Sequence, residues 1–215
     1  MARRHMVAAT AQLKASPSAD GDVELMFACC NMAQAYSDNG QQASATIVLK
    51  SVHLSRIGSL GPAHPQTLQT ADNLALVLGR AGNFAAAATL YRSTLQAQVQ
   101  TIGWDDVETL NSANSLANAL LSAGEVGQAA NMFRETLRRR QKVLGRQHAE
   151  TLRTVNNLAF SLLYIEGGGE EALALFREVA AAAVALHGPR HPETLAAKNS
   201  LAGALLGQQR FAEAT

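Results

Sequence analysis

The sequence has little cysteine, few aromatic residues and almost no net charge. Its only two cysteines, Cys29 and Cys30, are neighbours. Adjacent helical residues point about 100° apart, so a bridge between them would be badly strained. No CxxC pair and no metal-ligand spacing accompanies them. A disulfide framework is excluded, and a reducing, cytoplasmic compartment is expected. Lys and Arg number 18 against 17 Asp and Glu, a formal charge of +1. A dedicated nucleic-acid binder normally needs a basic surplus, so none is expected as a partner. Near-zero charge beside 47% hydrophobic residues also argues against disorder. The longest apolar run, Val179 to Leu186, falls well short of the roughly 18 residues of a membrane span. The N-terminus holds two arginines but no apolar stretch of signal-peptide length.

Alanine, by contrast, makes up roughly a fifth of the chain. With few β-branched or aromatic residues, that favours closely approaching helices. The chain also repeats itself. Thr-Leu recurs at 67–68, 109–110, 151–152 and 194–195, preceded at a constant interval by Gly61, Gly103, Gly145 and Gly188. Leu74-Ala75, Leu116-Ala117, Leu158-Ala159 and Leu201-Ala202 follow in register, as do Tyr91-Arg92, Phe133-Arg134 and Phe176-Arg177. The spacing is 42 residues, with one extra residue in the third unit near Gly167-Gly168-Gly169, where a turn absorbs it easily. The same frame survives earlier at Asn31-Met32-Ala33, Tyr36, Gly40 and Ala45. The expected organisation is a tail or remnant helix over 1–18, then a degenerate repeat over 19–60. Full repeats follow over 61–102, 103–144 and 145–187, with a truncated one over 188–215. Residues 19–215 together would form one solenoid domain.

Within 61–102, Gly61-Pro-Ala-His-Pro65 reads as a turn with Pro65 opening a helix. Leu68, Ala71, Leu74, Ala75 and Leu78 form an apolar stripe of helical period. Ala81-Gly82-Asn83 breaks the helix, and Phe84, Ala87, Ala88, Tyr91 and Leu95 begin a second stripe. Each unit is therefore a hairpin of two antiparallel helices, with small Ala75 and Ala87 where they cross closest. One hairpin cannot bury its stripe alone. Stacking predicts an all-α, right-handed superhelical α-solenoid of antiparallel helix pairs, first helices lining the concave face.

Helix phase then predicts a groove stripe on the first helices. It contains Cys30, Asn31 and Gln34; Asp72, Asn73 and Leu76; Asn114, Ser115 and Asn118; Asn156, Asn157 and Phe160; Asn199, Ser200 and Gly203. Gln69, Asn111 and Arg153 lie one turn earlier. Carboxamides both donate and accept, so a ladder of them can pair with the main chain of an extended peptide. The alternative is that they join adjacent units; the two roles can coexist.

The order Asn-Leu-Ala, Leu, Gly, Ala and aromatic-Arg resembles the tetratricopeptide repeat. The longer period, and openings such as Leu-Gly-Pro-Ala-His-Pro-Gln-Thr-Leu (60–68), are similar to its kinesin-light-chain class. The resemblance covers about 19–215. It implies that asparagines at matching positions hold a bound peptide backbone: Asn73, Asn114, Asn156, Asn157 and Asn199, with Asn111, Asn118 and Arg153 as neighbours. Ser115 and Ser200 depart from the usual asparagine. Arg153 and Arg80 are set against Asp72, so no preference for acidic peptides is expected.

Other signals imply little chemistry. His64, His148 and His191 share one repeat position and are expected to stabilise turns by hydrogen bonds. His187 and His191 could approach each other, but no carboxylate or cysteine is spaced to complete a metal site. The run Arg138-Arg-Arg-Gln-Lys142 reads as a solvated helix end complementing the macrodipole. Trp104 stands where other repeats have proline and reads as a packing plug. No catalytic set assembles, so neither an enzyme nor a cofactor is expected. The last repeat stops within its second helix, leaving Leu195, Leu201, Ala202 and Leu205 short of cover. That suggests a piece of a longer array or self-association through uncapped ends. The favoured function is a scaffold binding a partner's peptide in the concave groove. The alternatives are a structural or self-associating module, or a regulatory fragment of a larger signalling protein or enzyme.

Overall fold

The computed structural model describes residues 19–214, with side chains described for 26–207. The expected tail at 1–18 lies outside the described residues. Among the described residues all regular structure is helical. The helices are α1 (Ala19–Asp38), α2 (Gln42–Leu60), α3 (Pro65–Arg80), α4 (Phe84–Thr101), α5 (Val107–Ser122), α6 (Val126–Val143), α7 (Ala149–Leu162), α8 (Gly169–His187) and α9 (Pro192–Ala214). None is long and apolar enough to cross a membrane.

The start signals act as the local chemistry predicts. Pro65 occupies the first turn of α3, and His64 caps it, Nδ1 accepting from the Gln66 N–H at 3.3 Å. His148 and Asp106 cap α7 and α5 in the same way, at 3.1 and 2.8 Å. Asn83 accepts from the Ala86 N–H at the start of α4. Between helices the chain reverses through glycines in the left-handed region, such as Gly61 at φ 91° and Gly82 at φ 81°. The extra residue of the third repeat lies in the connection 163–168, longer than the three-residue turns 81–83 and 123–125. There a Cβ on Gly168 would sit 2.3 Å from the Leu162 carbonyl oxygen, so only glycine fits.

The chain divides into two compact units, one ending at Trp104 and one beginning at Asp105. In the first, α1 packs on α2, α2 on α3 and α3 on α4. Its core gathers Met26, Cys29, Ala33, Ala45, Val48 and Leu49 with Leu74 and Val77. In the second, α5 through α9 pack in chain order. The alanine pairs at the helix crossings are completely buried in every hairpin: Ala33 with Ala45, Ala75 with Ala87, Ala117 with Ala129, Ala159 with Ala172. A larger side chain at any of them would force the axes apart. The threonine of each Thr-Leu pair is also fully buried, as are Phe133 and Phe176. Trp104 is half-buried, whereas Leu195 and Leu205 of α9 are exposed.

Candidate functional site

Asn111 and Asn114 are three residues apart on α5 and so share a helix face. That face turns inward. Asn114 is only 4% exposed and points into the helix stack rather than toward an open groove. Its Oδ1 lies 3.4 Å from the Thr154 hydroxyl of α7, which shares its proton with the Glu150 carbonyl at 2.9 Å.

The centre of this arrangement is Arg140, near the end of α6 and completely buried. Its Nη1 donates to the Glu150 carbonyl and to Thr154 Oγ1, both at 2.8 Å. Its Nη2 donates to Asn111 Oδ1 at 2.6 Å. The Glu150 carboxylate lies 3.3 Å from Nη1 and also pairs with Arg153. Burial draws the Arg140 guanidinium below its ordinary pKa, Glu150 raises it and Arg153 lowers it again. Arginine nonetheless remains charged, so the inward face of the hairpins holds a cation whose two Nη groups meet one carboxylate, one amide, one hydroxyl and one carbonyl, while its buried Nε has no hydrogen-bond partner among the described residues.

The basic run containing Arg140 is thus not the wholly solvated helix end expected. Consecutive helical residues diverge by 100°, so Arg138, Arg139 and Arg140 face three ways. Arg138 pairs with Glu135 at 2.9 Å and Arg139 with Asp105 at 2.8 Å, while Arg140 enters the stack. The clue lay in the repeat itself. Arg56, Gln98 and Arg140 occupy one register position, and all three are buried.

A groove of about 360 Å³ opens on the second unit between α7, α8 and α9. Arg153, Asn156 and Glu150 of α7 form one wall, with Ser200 and Glu193 of α9 opposite. Val179 and Ala183 of α8 are among the apolar residues lining it. Of the eight residues predicted to bind a peptide, Arg153 and Asn156 line this groove, whereas Asn111 and Asn114 are tied to the stack. Asn157 is half-buried, and Asn73, Asn118 and Asn199 are exposed. On α9 it is Ser200, rather than the predicted Asn199, that reaches the groove.

The cap histidines form the expected turn hydrogen bonds, His191 included. The expectation that no carboxylate stands near His187 and His191 does not hold. Glu193 Oε2 lies 3.0 Å from His187 Nε2, because the tight reversal between α8 and α9 folds the first turn of one helix onto the end of the other.

The tetratricopeptide repeat family model matches residues 67–106, 109–150 and 151–193, more than half of the sequence. The chain belongs to this family. It is an all-α tetratricopeptide-repeat solenoid of the kinesin-light-chain-like kind, a fold that typically mediates protein interactions and typically serves as a non-enzymatic scaffold. Among solved structures, a Podosopora anserina protein assigned as a kinesin light chain, with nearly identical TPR-like repeats, is 25% identical. The match covers 88% of this chain and 89% of that one, with a TM-score of 0.79. A second structure of that protein matches over the same shares at 25% identity and a TM-score of 0.77. BtubC (BKLC) from P. vanneervenii shares the fold at 17% identity and a TM-score of 0.73, over 99% of this chain and 86% of its own. No curated protein matches the sequence.

Proposed function

We propose that this repeat array is a scaffold that holds an extended segment of a partner protein in the groove between α7, α8 and α9. The observation that carries this reading is the pairing of apolar lining with a polar wall in one cleft, Val179 and Ala183 against Arg153 and Asn156. A volume of about 360 Å³ accommodates one or two apolar side chains of a peptide. The Asn156 carboxamide, donor and acceptor at once, then pairs with its backbone. The amide ladder expected along the first helices narrows in this reading to Asn156. Asn111 and Asn114 instead serve as bonds within the stack.

The test is a peptide-library selection against the intact chain, followed by titration of the enriched peptide. Asn156→Ala should weaken binding by about 1 kcal/mol, roughly fivefold. Ala196→Phe, at an exposed position lining the same groove, should fill it and abolish binding while the melting temperature holds. Peptides that bind both variants as well as the parent would reject the groove.

A further inference from the structure

The turn between α8 and α9 carries one histidine that the other histidine-capped turns lack. Each of those preceding α3, α7 and α9 carries a capping histidine: His64, His148 and His191. Two residues later stand Gln66, Glu150 and Glu193. At the end of the preceding helix the chain has Leu60, then Leu144, but His187 before α9. The cap accounts for His191 and leaves His187 unexplained.

The geometry supplies a use for it. Gly188, at φ 83°, reverses the chain directly after His187. The His187 and His191 rings then stack with centroids 4.6 Å apart and planes 22° from parallel. His187 Nε2 is 3.0 Å from Glu193 Oε2, and one ligand atom from each of the three residues lies within 4.8 Å of the others. A tetrahedral zinc ion with bonds near 2.0 Å asks for ligand separations of about 3.3 Å. All three residues are exposed, so rotamer adjustment can close the difference and an ion can enter.

We propose that His187, His191 and Glu193 form a binding site for a borderline divalent cation, zinc foremost. Two imidazoles and one carboxylate suit zinc, copper or nickel and disfavour magnesium and calcium. His191 Nδ1 already accepts from the Glu193 N–H at 3.3 Å, so its neutral ring carries the proton on Nε2. Ligation through Nε2 moves that proton, by exchange with solvent, to Nδ1, which can then no longer accept the long cap bond. The ion thus exchanges a cap within α9 for a staple between α8 and α9. His187 and Glu193 also line the edge of the groove, where a remaining coordination position faces solvent.

The repeat supplies its own control substitutions. His187→Leu restores the residue of the two other histidine-capped turns, and Glu193→Gln restores the one at Gln66. Neither should change the metal-free melting temperature. Titrating the intact chain with zinc chloride in a calorimeter should show saturable binding, and zinc should raise the melting temperature reversibly to chelator. Magnesium should do neither. Each substitution should weaken zinc binding by about tenfold or more. A parent dissociation constant weaker than about 1 mM, or zinc binding unchanged in His187→Leu, would overturn the site.

Discussion

The two units place the same side chain in the same register and surround it differently. Arg56 in the first unit donates to the Gln66 carbonyl and to Thr70, as Arg140 donates to the Glu150 carbonyl and Thr154. Arg140 has two further partners, the Asn111 amide oxygen and the Glu150 carboxylate. One repeat pair earlier those positions hold Phe27 and Gln66, which offer neither an equivalent amide nor a charge. A helix carbonyl and a threonine are therefore the shared minimum for seating this cation between successive repeats. The second unit adds compensation on top. The repeat fixes where a polar side chain enters the stack, and the neighbours decide how strongly it is held.

Alanine scanning at this position tests the difference most strongly. Arg140→Ala removes the partner of the Asn111 oxygen and one partner each of Thr154 and the Glu150 carboxylate, and should cost about 3 kcal/mol. Arg56→Ala strands fewer groups and should cost about 2 kcal/mol. Equal losses in urea unfolding would mean that Asn111 and Glu150 contribute nothing. Next in size, Asn114→Ala should destabilise by about 1 kcal/mol, since it empties a buried hydrogen-bonding position. Asn73→Ala in the first unit, on an exposed face, should stay within about 0.5 kcal/mol. A matching loss at Asn73 would erase the distinction between the inward and outward amides.

The smallest expected effect is electrostatic. One ion pair of the first unit, Arg80 with Asp38, is long at 3.6 Å, whereas Glu135 in the second meets both Arg138 and Arg139. Hydrogen bonds from Arg138 and then Arg139 hold the Glu135 carboxyl at about 2, against an ordinary value of 4.5. Because the folded value is the lower one, the pair stabilises the fold above pH 4.5 and loses that contribution as the pH falls through about 2. Glu135→Gln should lower the melting temperature slightly above pH 4.5, leave it unchanged below about pH 2, and so flatten the profile across that window. An unaltered acid limb would show that water already screens the pair.

Much of this fold was legible because a repeat states its own grammar several times. Thr67, Thr109, Thr151 and Thr194 are buried at one position, and the crossing alanines mark every hairpin down to the degenerate Ala33 and Ala45. Pro65, Asn83 and the capping histidines give helix boundaries from local chemistry alone. The site was harder to read. Asn111 and Asn114 have the composition of a recognition surface, and only the position of Arg140 shows that they face it. Arg140 itself sits among charged neighbours that mimic a solvated face. The carboxylate opposite His187 comes from the next helix, so helical spacing gives no hint of it.

The left-handed glycines have one more consequence. Gly40, Gly61, Gly82 and Gly103 are each 21 residues apart, and the stride continues through Gly124 and Gly145. Connections inside a hairpin and between hairpins therefore share one measure. A recombination event cutting at any of these points and copying or deleting one whole period would rejoin on a ready-made reversal. The lineage could change its repeat number without inventing a new junction.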